Sequence, residues 1–550
     1  MNDLCNIAAT LPGLASRFPD RIAMRCPGTR GPDGMARFDL TLTYRDLDVR
    51  SDAIAAGLAR RGIVRGTRTV VMVRPSPDFF LLMFALFKAG AVPVLVDPGI
   101  DKRALKQCLD EAQPEAFIGI PLAHLARTVL RWATSARIRI TTGTRAWLSD
   151  ATLARVERDG AKAGSQLTAT GPEDVAAILF TSGSTGVPKG VVYRHRHFVA
   201  QIAMLRDALG IEAGGVDLPT FPPFALFDPA LGLTSIIPDM DPTKPALADP
   251  RKLHDAIARF GVDQLFGSPA LMAVLANFGA KLPTVKRVTS AGAPVPADVV
   301  AKMRELLPED AGFWTPYGPT ECLPVAIIES RELQSTRAAT ERGAGTCVGR
   351  AVAPNDVRII AITDAPIARW HDAQVLRANE VGEITVAGPT ATDTYFNRVA
   401  QTEAAKIRER LDDGSERIVH RMGDVGYLDA DGRLWFCGRK THRVESTQGP
   451  LYTEQVEPVF NTHAQVRRTA LVGVGEANAQ RPILCVELAR GVNAREWPRI
   501  ERELREIGAG HAHTAAIATF LRHPKFPVDI RHNAKIGREK LAVWASTRVR

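Results

Sequence analysis

The 550-residue chain has few cysteines, few aromatic side chains and no long apolar run, and each shortage removes a class of protein. Its seven cysteines (Cys5, Cys26, Cys108, Cys322, Cys347, Cys437 and Cys485) are scattered, with no CxxC pair and no nearby histidine cluster. That argues against a disulfide framework and against zinc, and it suits a reducing, cytoplasmic setting. The longest apolar run, residues 79–87, stops at Lys88, well short of the ~20 residues that span a bilayer. No transmembrane segment is expected. Met1-Asn-Asp-Leu-Cys-Asn has no basic stretch ahead of an apolar core, so no secretory signal is visible. Dense basic runs interleaved with aromatics are missing as well. The formal net charge of +10 is spread along the chain and aromatics make up 6% of it, so arginine-rich solvated surface explains the excess and a nucleic-acid partner is not expected.

Hydrophobic residues at 45% and charged residues at 24% describe an ordinary globular protein that can bury substantial cores. The length exceeds one core and has room for about three or four domain-sized units. Strand-like and helix-like segments alternate. Residues 68–73, 91–96, 175–180, 264–267 and 287–291 read as strands, and 250–260 as a helix. Ser76-Pro77 ahead of an apolar run, with Gly90 just past it, reads as a capped helix. Such alternation predicts sheets covered by helices. From Gly345 to Gly388 short strands with turns take over, for example 357–360 and 383–386, which suits a smaller β-rich subdomain. Gly423 to Gly432 reads as a hairpin turn leading into 433–437.

The most informative segment follows the 175–180 strand. Thr181-Ser182-Gly183-Ser184-Thr185-Gly186-Val187-Pro188-Lys189-Gly190 combines glycines that let the backbone approach an anion, four hydroxyl donors and a cation. It is not a Walker A loop, because no lysine followed by serine or threonine comes directly after the second glycine. Alone it could be a solvated turn. It is followed in order by Tyr317-Gly318-Pro319-Thr320-Glu321, Gly423-Asp424, Gly438-Arg439 and a lysine near the C-terminus, Lys535.

That ordered set, over nearly the whole chain, resembles the adenylate-forming superfamily of acyl-CoA synthetases, nonribosomal-peptide adenylation domains and luciferases. The resemblance implies an α/β protein with a large N-terminal domain of helix-covered sheets plus a β-rich subdomain (residues 1–437), a hinge (438–441) and a small mobile C-terminal α+β domain (442–550). It implies ATP and Mg2+ as well. On this reading the 181–190 loop (Thr181, Ser182, Gly183, Ser184, Thr185, Gly186) and Lys189 hold the β- and γ-phosphates, Thr320 meets the α-phosphate region and Glu321 helps hold Mg2+. Tyr317 and Gly318 line one face of adenine, and the Ser290-Ala-Gly292-Ala293 turn lines the other. Asp424 accepts from the ribose hydroxyls, Arg439 reaches the ribose or phosphate edge, and Lys535 bridges carboxylate and α-phosphate. Ala534 stands where the family has a glycine before that lysine, and Lys525 and Lys540 are the rival positions. Each residue also has an ordinary reading, as a turn, a cap or a surface charge. His195 and His197 lack a third ligand and read as structural. Phe227-Asp228 matches an aromatic substrate-pocket motif loosely, and Gly473-Val-Gly475 reads as a turn.

In acyl-CoA synthetases a loop after the hinge helps admit the thiol. Here Thr441, Glu445, Gln448 and Pro450 occupy its characteristic positions, where those relatives carry an acid or lysine, a lysine, a glycine and an arginine. Together with the segments 221–229 and 531–540, these departures look like the β-lactone synthetases of bacterial olefin biosynthesis. That family implies adenylation of a long-chain 2-alkyl-3-hydroxy acid, then attack by its own 3-hydroxyl, with other hydrocarbon-pathway enzymes as partners. A long-chain acyl-CoA synthetase is the enzymatic alternative, a luciferase-like oxygenase is less favoured, and a catalytically silent adenylate-binding protein is the alternative of another class.

Overall fold

The structure, a computed structural model, describes residues 4–97, 99–181, 188–528 and 536–549. Two large sheets and a small one carry the chain. The first has seven strands in the order Ala151–Thr152, Ile138–Thr141, Ala116–Gly119, Arg68–Met72, Val92–Val96, Val175–Thr181 and Lys189–Arg194. All its pairings are parallel except the last, which is an antiparallel hairpin. Parallel strands need both faces covered, which their continuous apolar sequences reflect.

The second sheet begins as a parallel array and ends as an antiparallel one. Val216–Pro219, Gln264–Gly267, Arg287–Ser290 and Gly312–Tyr317 run parallel. Ala326–Glu329, Thr346–Ala351, Leu434–Arg439, Glu416–Leu428, Gly382–Ala387 and Asp356–Ile360 then continue the same hydrogen-bonded surface in antiparallel fashion. The β-rich region expected from the sequence is therefore an extension of the parallel sheet and not a separate one. Thr346–Ala351 makes the join, pairing with Ala326–Glu329 on one side and Leu434–Arg439 on the other. A second difference concerns residues 423–428. They finish the strand Glu416–Leu428, and the reversal comes at 429–433, where Asp429 accepts from the Arg433 backbone N–H at 2.8 Å.

The helix Pro77–Lys88 lies in the core between the sheets. Ser76 caps it by accepting from the Phe79 N–H, and Pro77 occupies its first turn. Phe79 through Lys88 are all buried, packed with Ala176, Ala177 and Val191 of one sheet and Ala23, Met24 and Leu42 of the other. A helix apolar all round needs such a site. Its one charged end, Lys88, is neutralised by Asp48 at 2.6 Å and Asp52 at 2.7 Å.

A smaller C-terminal domain follows Arg439. Val466–Val474, Arg481–Leu488 and Thr519–Arg522 form its sheet. Period-two alternation sends Leu471 and Leu484 to a core with Val456 and Phe460, and Ala470, Val472, Ile483 and Cys485 to another with Phe526 and Leu541. Between the large and small sheets lies a hairpin of two short strands, Val444–Ser446 and Gly449–Leu451.

Candidate active site

The parallel strands of both large sheets end where α/β folds gather ligands. Val175–Thr181 runs into the hydroxyl-rich loop and returns as Lys189–Arg194, with Thr181 opposite Lys189. Ser182, Gly183, Ser184, Thr185 and Gly186 lie outside the described residues, as does Lys535. Arg287–Ser290 runs into Gly292, whose φ of +98° requires glycine, and into half-buried Ala293. Gly312–Tyr317 runs into Gly318, where a Cβ would stand 2.5 Å from the Cys322 carbonyl oxygen. The backbone can fold back there only without a side chain.

Tyr317 meets Asp424 and Arg439, which lie on a strand pair beyond two intervening strands of the same sheet. The Tyr317 hydroxyl donates to Asp424 Oδ2 at 2.6 Å, and Arg439 Nη1 lies 2.8 Å from Asp424 Oδ1. Asp424 and Arg439 face each other directly across the strand pair. Asp424 is only 3% exposed. Burial pushes its carboxyl above the usual range, against the opposing pull of Arg439 and the Tyr317 hydroxyl. Each carboxylate oxygen can accept more than the one partner it has here, and a buried acceptor with such a spare direction fits a ribose hydroxyl.

Thr320 and Glu321 are held by contacts the sequence did not signal. Tyr193, stacked on Phe198 at 4.6 Å, donates its hydroxyl to the Thr320 carbonyl. Tyr395 donates to Glu321 Oε1 at 2.6 Å, and Thr392 donates to the Glu321 carbonyl from its N–H at 2.8 Å and its hydroxyl at 3.1 Å. Residues 392–396 reach this position because Tyr395 bridges Val191 and Phe396 N–H donates to Gly190 O at 2.8 Å. Lys189 Nζ sits 5.0 Å from the Tyr395 ring centre and the buried Lys406 Nζ 5.8 Å. Lys406 donates to the Thr392 carbonyl and hydroxyl, and burial pushes its ammonium down to about 8. A glutamate with one oxygen tied by tyrosine, beside two ammonium groups, suits Mg2+ held by a single carboxylate and substrate phosphates.

A small apolar cavity of about 70 Å³ opens beside Ala291 and Pro316 and is lined by Phe224, Phe227 and Phe266. Its far end is polar. Asp217, Gln264 and Arg287 stand level on neighbouring strands, and Arg287 donates to Gln264 Oε1 at 2.9 Å. Asp217 contacts Asp228, which accepts from Ser235. Burial raises both carboxyls, so that the pair retains a proton. From Ala291 to the Arg287 row is four strand residues, about 13 Å. The acid pair is therefore too deep to act at the nucleotide, and Asp228 belongs to the cavity floor.

His195 and His197 are buried and neutral. Burial pushes them down to about 4 and about 3, and His197 Nδ1 accepts from the Arg194 N–H at 2.9 Å. Among the described residues no group of three or more His, Cys, Asp or Glu is placed to hold a metal, and no helix is long and apolar enough to cross a membrane.

A hydroxyl-rich segment after a parallel strand of one sheet, with a buried acid beside tyrosine and arginine and an apolar cavity on the other, fits an adenylate-forming class of protein, and comparison with known sequences agrees. The AMP-binding enzyme family matches residues 14–396, so the chain belongs to that family. It is 74% identical over 546 residues to the olefin beta-lactone synthetase of Xanthomonas campestris pv. campestris, covering 99% of this chain and 98% of that one. Identity is also 74% to the olefin beta-lactone synthetase of Stenotrophomonas maltophilia, covering 99% of each chain. The fold is similar to the amide bond synthetase McbA from Marinactinospora thermotolerans, with a TM-score of 0.77 and 20% identity over 98% of this chain and 99% of that one.

Proposed function

We propose that this chain uses ATP to adenylate a long-chain 2-alkyl-3-hydroxy acid and closes the adenylate to a β-lactone, releasing pyrophosphate and then AMP. The observation that carries this reading is the 74% identity, over 99% of the chain, to two olefin beta-lactone synthetases. The aligned carboxylate oxygen attacks the α-phosphorus and the bond to pyrophosphate breaks. The substrate's 3-hydroxyl oxygen then attacks the activated carbonyl carbon, the bond to AMP breaks, and the hydroxyl proton leaves to solvent. Holding that hydroxyl beside the carbonyl makes the second step intramolecular.

The residues divide this work. Asp424 takes the ribose through a spare acceptor direction of its carboxylate, and Arg439 steadies the same edge. Adenine lies between Tyr317 and the 290–293 turn. Lys189 and the 181–190 loop hold the outer phosphates, and Thr320 faces the α-phosphate. Glu321 holds Mg2+, which when bound would neutralise charge on the departing pyrophosphate. Lys535 bridges the carboxylate and the α-phosphate. The small apolar cavity takes part of one alkyl arm. Residues 438–441 serve as the hinge of a mobile C-terminal domain (442–550), and the setting is cytoplasmic, alongside other enzymes of the same hydrocarbon pathway.

The test measures AMP formation from a 3-hydroxy acid and from the matching acid without the hydroxyl, each with and without CoA. Turnover of the hydroxy acid independent of CoA, with a product one water lighter, is expected. The acid lacking the hydroxyl should stop at the adenylate. CoA-dependent turnover of the plain acid to an acyl-CoA would restore the acyl-CoA synthetase reading.

A further inference from the structure

The helix Pro121–Leu130 keeps its larger apolar side chains outward. The side it turns to the seven-stranded sheet carries Ala123 and Ala126, a buried His124 with Nε2 3.0 Å from the Ile140 carbonyl oxygen, and Arg127, whose guanidinium lies over the Phe117 ring. Its outward side is apolar, with Leu122 62%, Leu125 38% and Val129 70% exposed. Spacings of three and four put those three residues on one stripe. The connection after Ile138–Thr141 begins against the start of this helix, where a Cβ on Gly143 would stand 2.6 Å from Pro121 Cγ, and it carries Trp147, which is 55% exposed. A contiguous apolar face of this kind marks a contact surface.

Charge decides what the face contacts. Residues 116–149 contain five arginines and no aspartate or glutamate. Arg131, Arg137 and Arg145 are exposed, and none has a carboxylate within ion-pair distance among the described residues. Asp150, just past this range, is taken up by Arg139, so a second copy packed here isologously would set the unpaired arginines against one another, at a cost in like-charge repulsion. An anionic lipid surface matches both features, since leucine, valine and tryptophan enter the acyl boundary while arginines meet the headgroups. We propose that the outward face of Pro121–Leu130, with Trp147 and the flanking arginines, rests on an anionic membrane surface. The fold directs this face usefully. Ala116–Gly119, which leads into the helix, is three strands from Val175–Thr181 in the same parallel array, about 14 Å away, so the helix starts at the edge where the phosphate loop emerges. A surface-bound enzyme would meet a lipid-like acid at that rim. That last advantage rests on the functional reading above, whereas the docking does not.

Vesicle flotation of the full chain tests the idea. Equimolar phosphatidylcholine and phosphatidylglycerol vesicles should carry the protein up, phosphatidylcholine alone should not, and raising salt from about 0.1 M to about 0.5 M should release most of it. Leu125→Ser with Val129→Ser, and separately Arg131→Ala with Arg145→Ala, should each lower the bound fraction on the order of tenfold. Both should keep the parent's circular dichroism, thermal midpoint and ATP affinity. The proposal is overturned if the parent stays unbound with anionic vesicles, if it binds neutral vesicles equally, or if the folded variants float like the parent. It is equally overturned if sedimentation shows a dimer that the serine pair abolishes while vesicle binding is absent. Since lipid binding needs no turnover, failure of the β-lactone reading would leave this result standing, and the reverse also holds.

Discussion

Replacing Asp424 by alanine should weaken ATP binding without unfolding the protein. In the free enzyme Oδ2 already accepts from Tyr317 at 2.6 Å and Oδ1 is ion-paired with Arg439 at 2.8 Å, and the carboxylate keeps acceptor directions to spare. The ribose therefore gains a charged acceptor that is fixed in advance. Hydrogen bonds to charged groups contribute about 1.5–3 kcal/mol, which corresponds to a Kd raised by roughly 10- to 150-fold. The effect on stability has two parts of opposite sign. Alanine removes a carboxyl that burial disfavours in its charged form, but it leaves the Tyr317 hydroxyl without its acceptor, at about 1–3 kcal/mol, and Arg439 without its ion-pair partner. A net loss of stability is expected, and the thermal midpoint and circular dichroism of the variant report that it stays folded. Asp424→Asn keeps an acceptor and loses the charge, and its Kd should fall between alanine and parent. Titration calorimetry with ATP, without acid substrate, reads the affinity directly. An alanine variant that is folded and binds ATP like the parent would refute the ribose assignment and leave Asp424 as a partner for Tyr317 and Arg439 only.

Lys535→Ala should lower the rate of pyrophosphate release by about two to three orders of magnitude with ATP affinity nearly unchanged, because its charge acts chiefly on the transition state; release near the parent rate would remove Lys535 from the mechanism. Tyr395→Phe frees Glu321 Oε1 from its 2.6 Å bond, and a loss of about 1 kcal/mol should raise the Mg2+ concentration for half-maximal adenylation roughly fivefold; an unchanged Mg2+ dependence would show that Glu321 needs no such support. His195 and His197, pushed down to about 4 and about 3 by burial, should make the fold acid-sensitive. Between pH 6.5 and those values the unfolded chain binds more protons than the native one, so stability is full above about pH 6.5 and falls on acidification. The loss is up to about 2 kcal/mol per histidine by pH 5. The raised Asp217–Asp228 pair acts in the opposite sense over this range, so urea unfolding at pH 7 and pH 5 reads the histidine share as the difference between the parent and His195→Leu; identical pH slopes for the two proteins would contradict the assignment.

What the sequence made legible was local. The strand ahead of the hydroxyl-rich loop, the Ser76–Pro77 helix start and the Tyr317 to Glu321 run are each specified within about ten residues by glycine, hydroxyl or apolar pattern. Asp424 was legible as an acid after Gly423, although its neighbours read as a turn and prove to be strand. Tyr395, Thr392 and Lys406 were not legible. They reach Glu321 through the Val191–Tyr395 bridge, a pairing across some 200 residues that no periodicity announces. The nearest local hint was Lys406 itself, a cation directly after the helix Val399–Ala405. The cavity floor escaped for a similar reason. Asp228 read as part of an aromatic motif, and only the strand register, with Asp217 level with Gln264 and Ser235, shows that it shares a proton with a second acid.

The departures at Glu445, Gln448 and Pro450 gain meaning from the same kind of register. They are not three independent changes along an open loop but one hairpin. Glu445 sits directly opposite Pro450 in the pairing of Val444–Ser446 with Gly449–Leu451, and Gln448 lies in the turn between them. The Glu445 carboxylate is already engaged by Arg443 at 2.9 Å, and Arg443 reaches on to Asp364 at 2.6 Å. The Glu445 backbone N–H donates to Gln480 Oε1 at 2.9 Å, which ties the hairpin to the C-terminal sheet. A cationic, glycine-opened entry for a phosphate-bearing thiol is thus replaced by a closed hairpin whose acid is neutralised in place. On the proposed reading the nucleophile comes from the acyl group itself, whose 3-hydroxyl closes a four-membered ring on the activated carbonyl. A hairpin without that cationic entry and an intramolecular second step then belong to one reading, and CoA-dependent turnover of a plain acid would separate them.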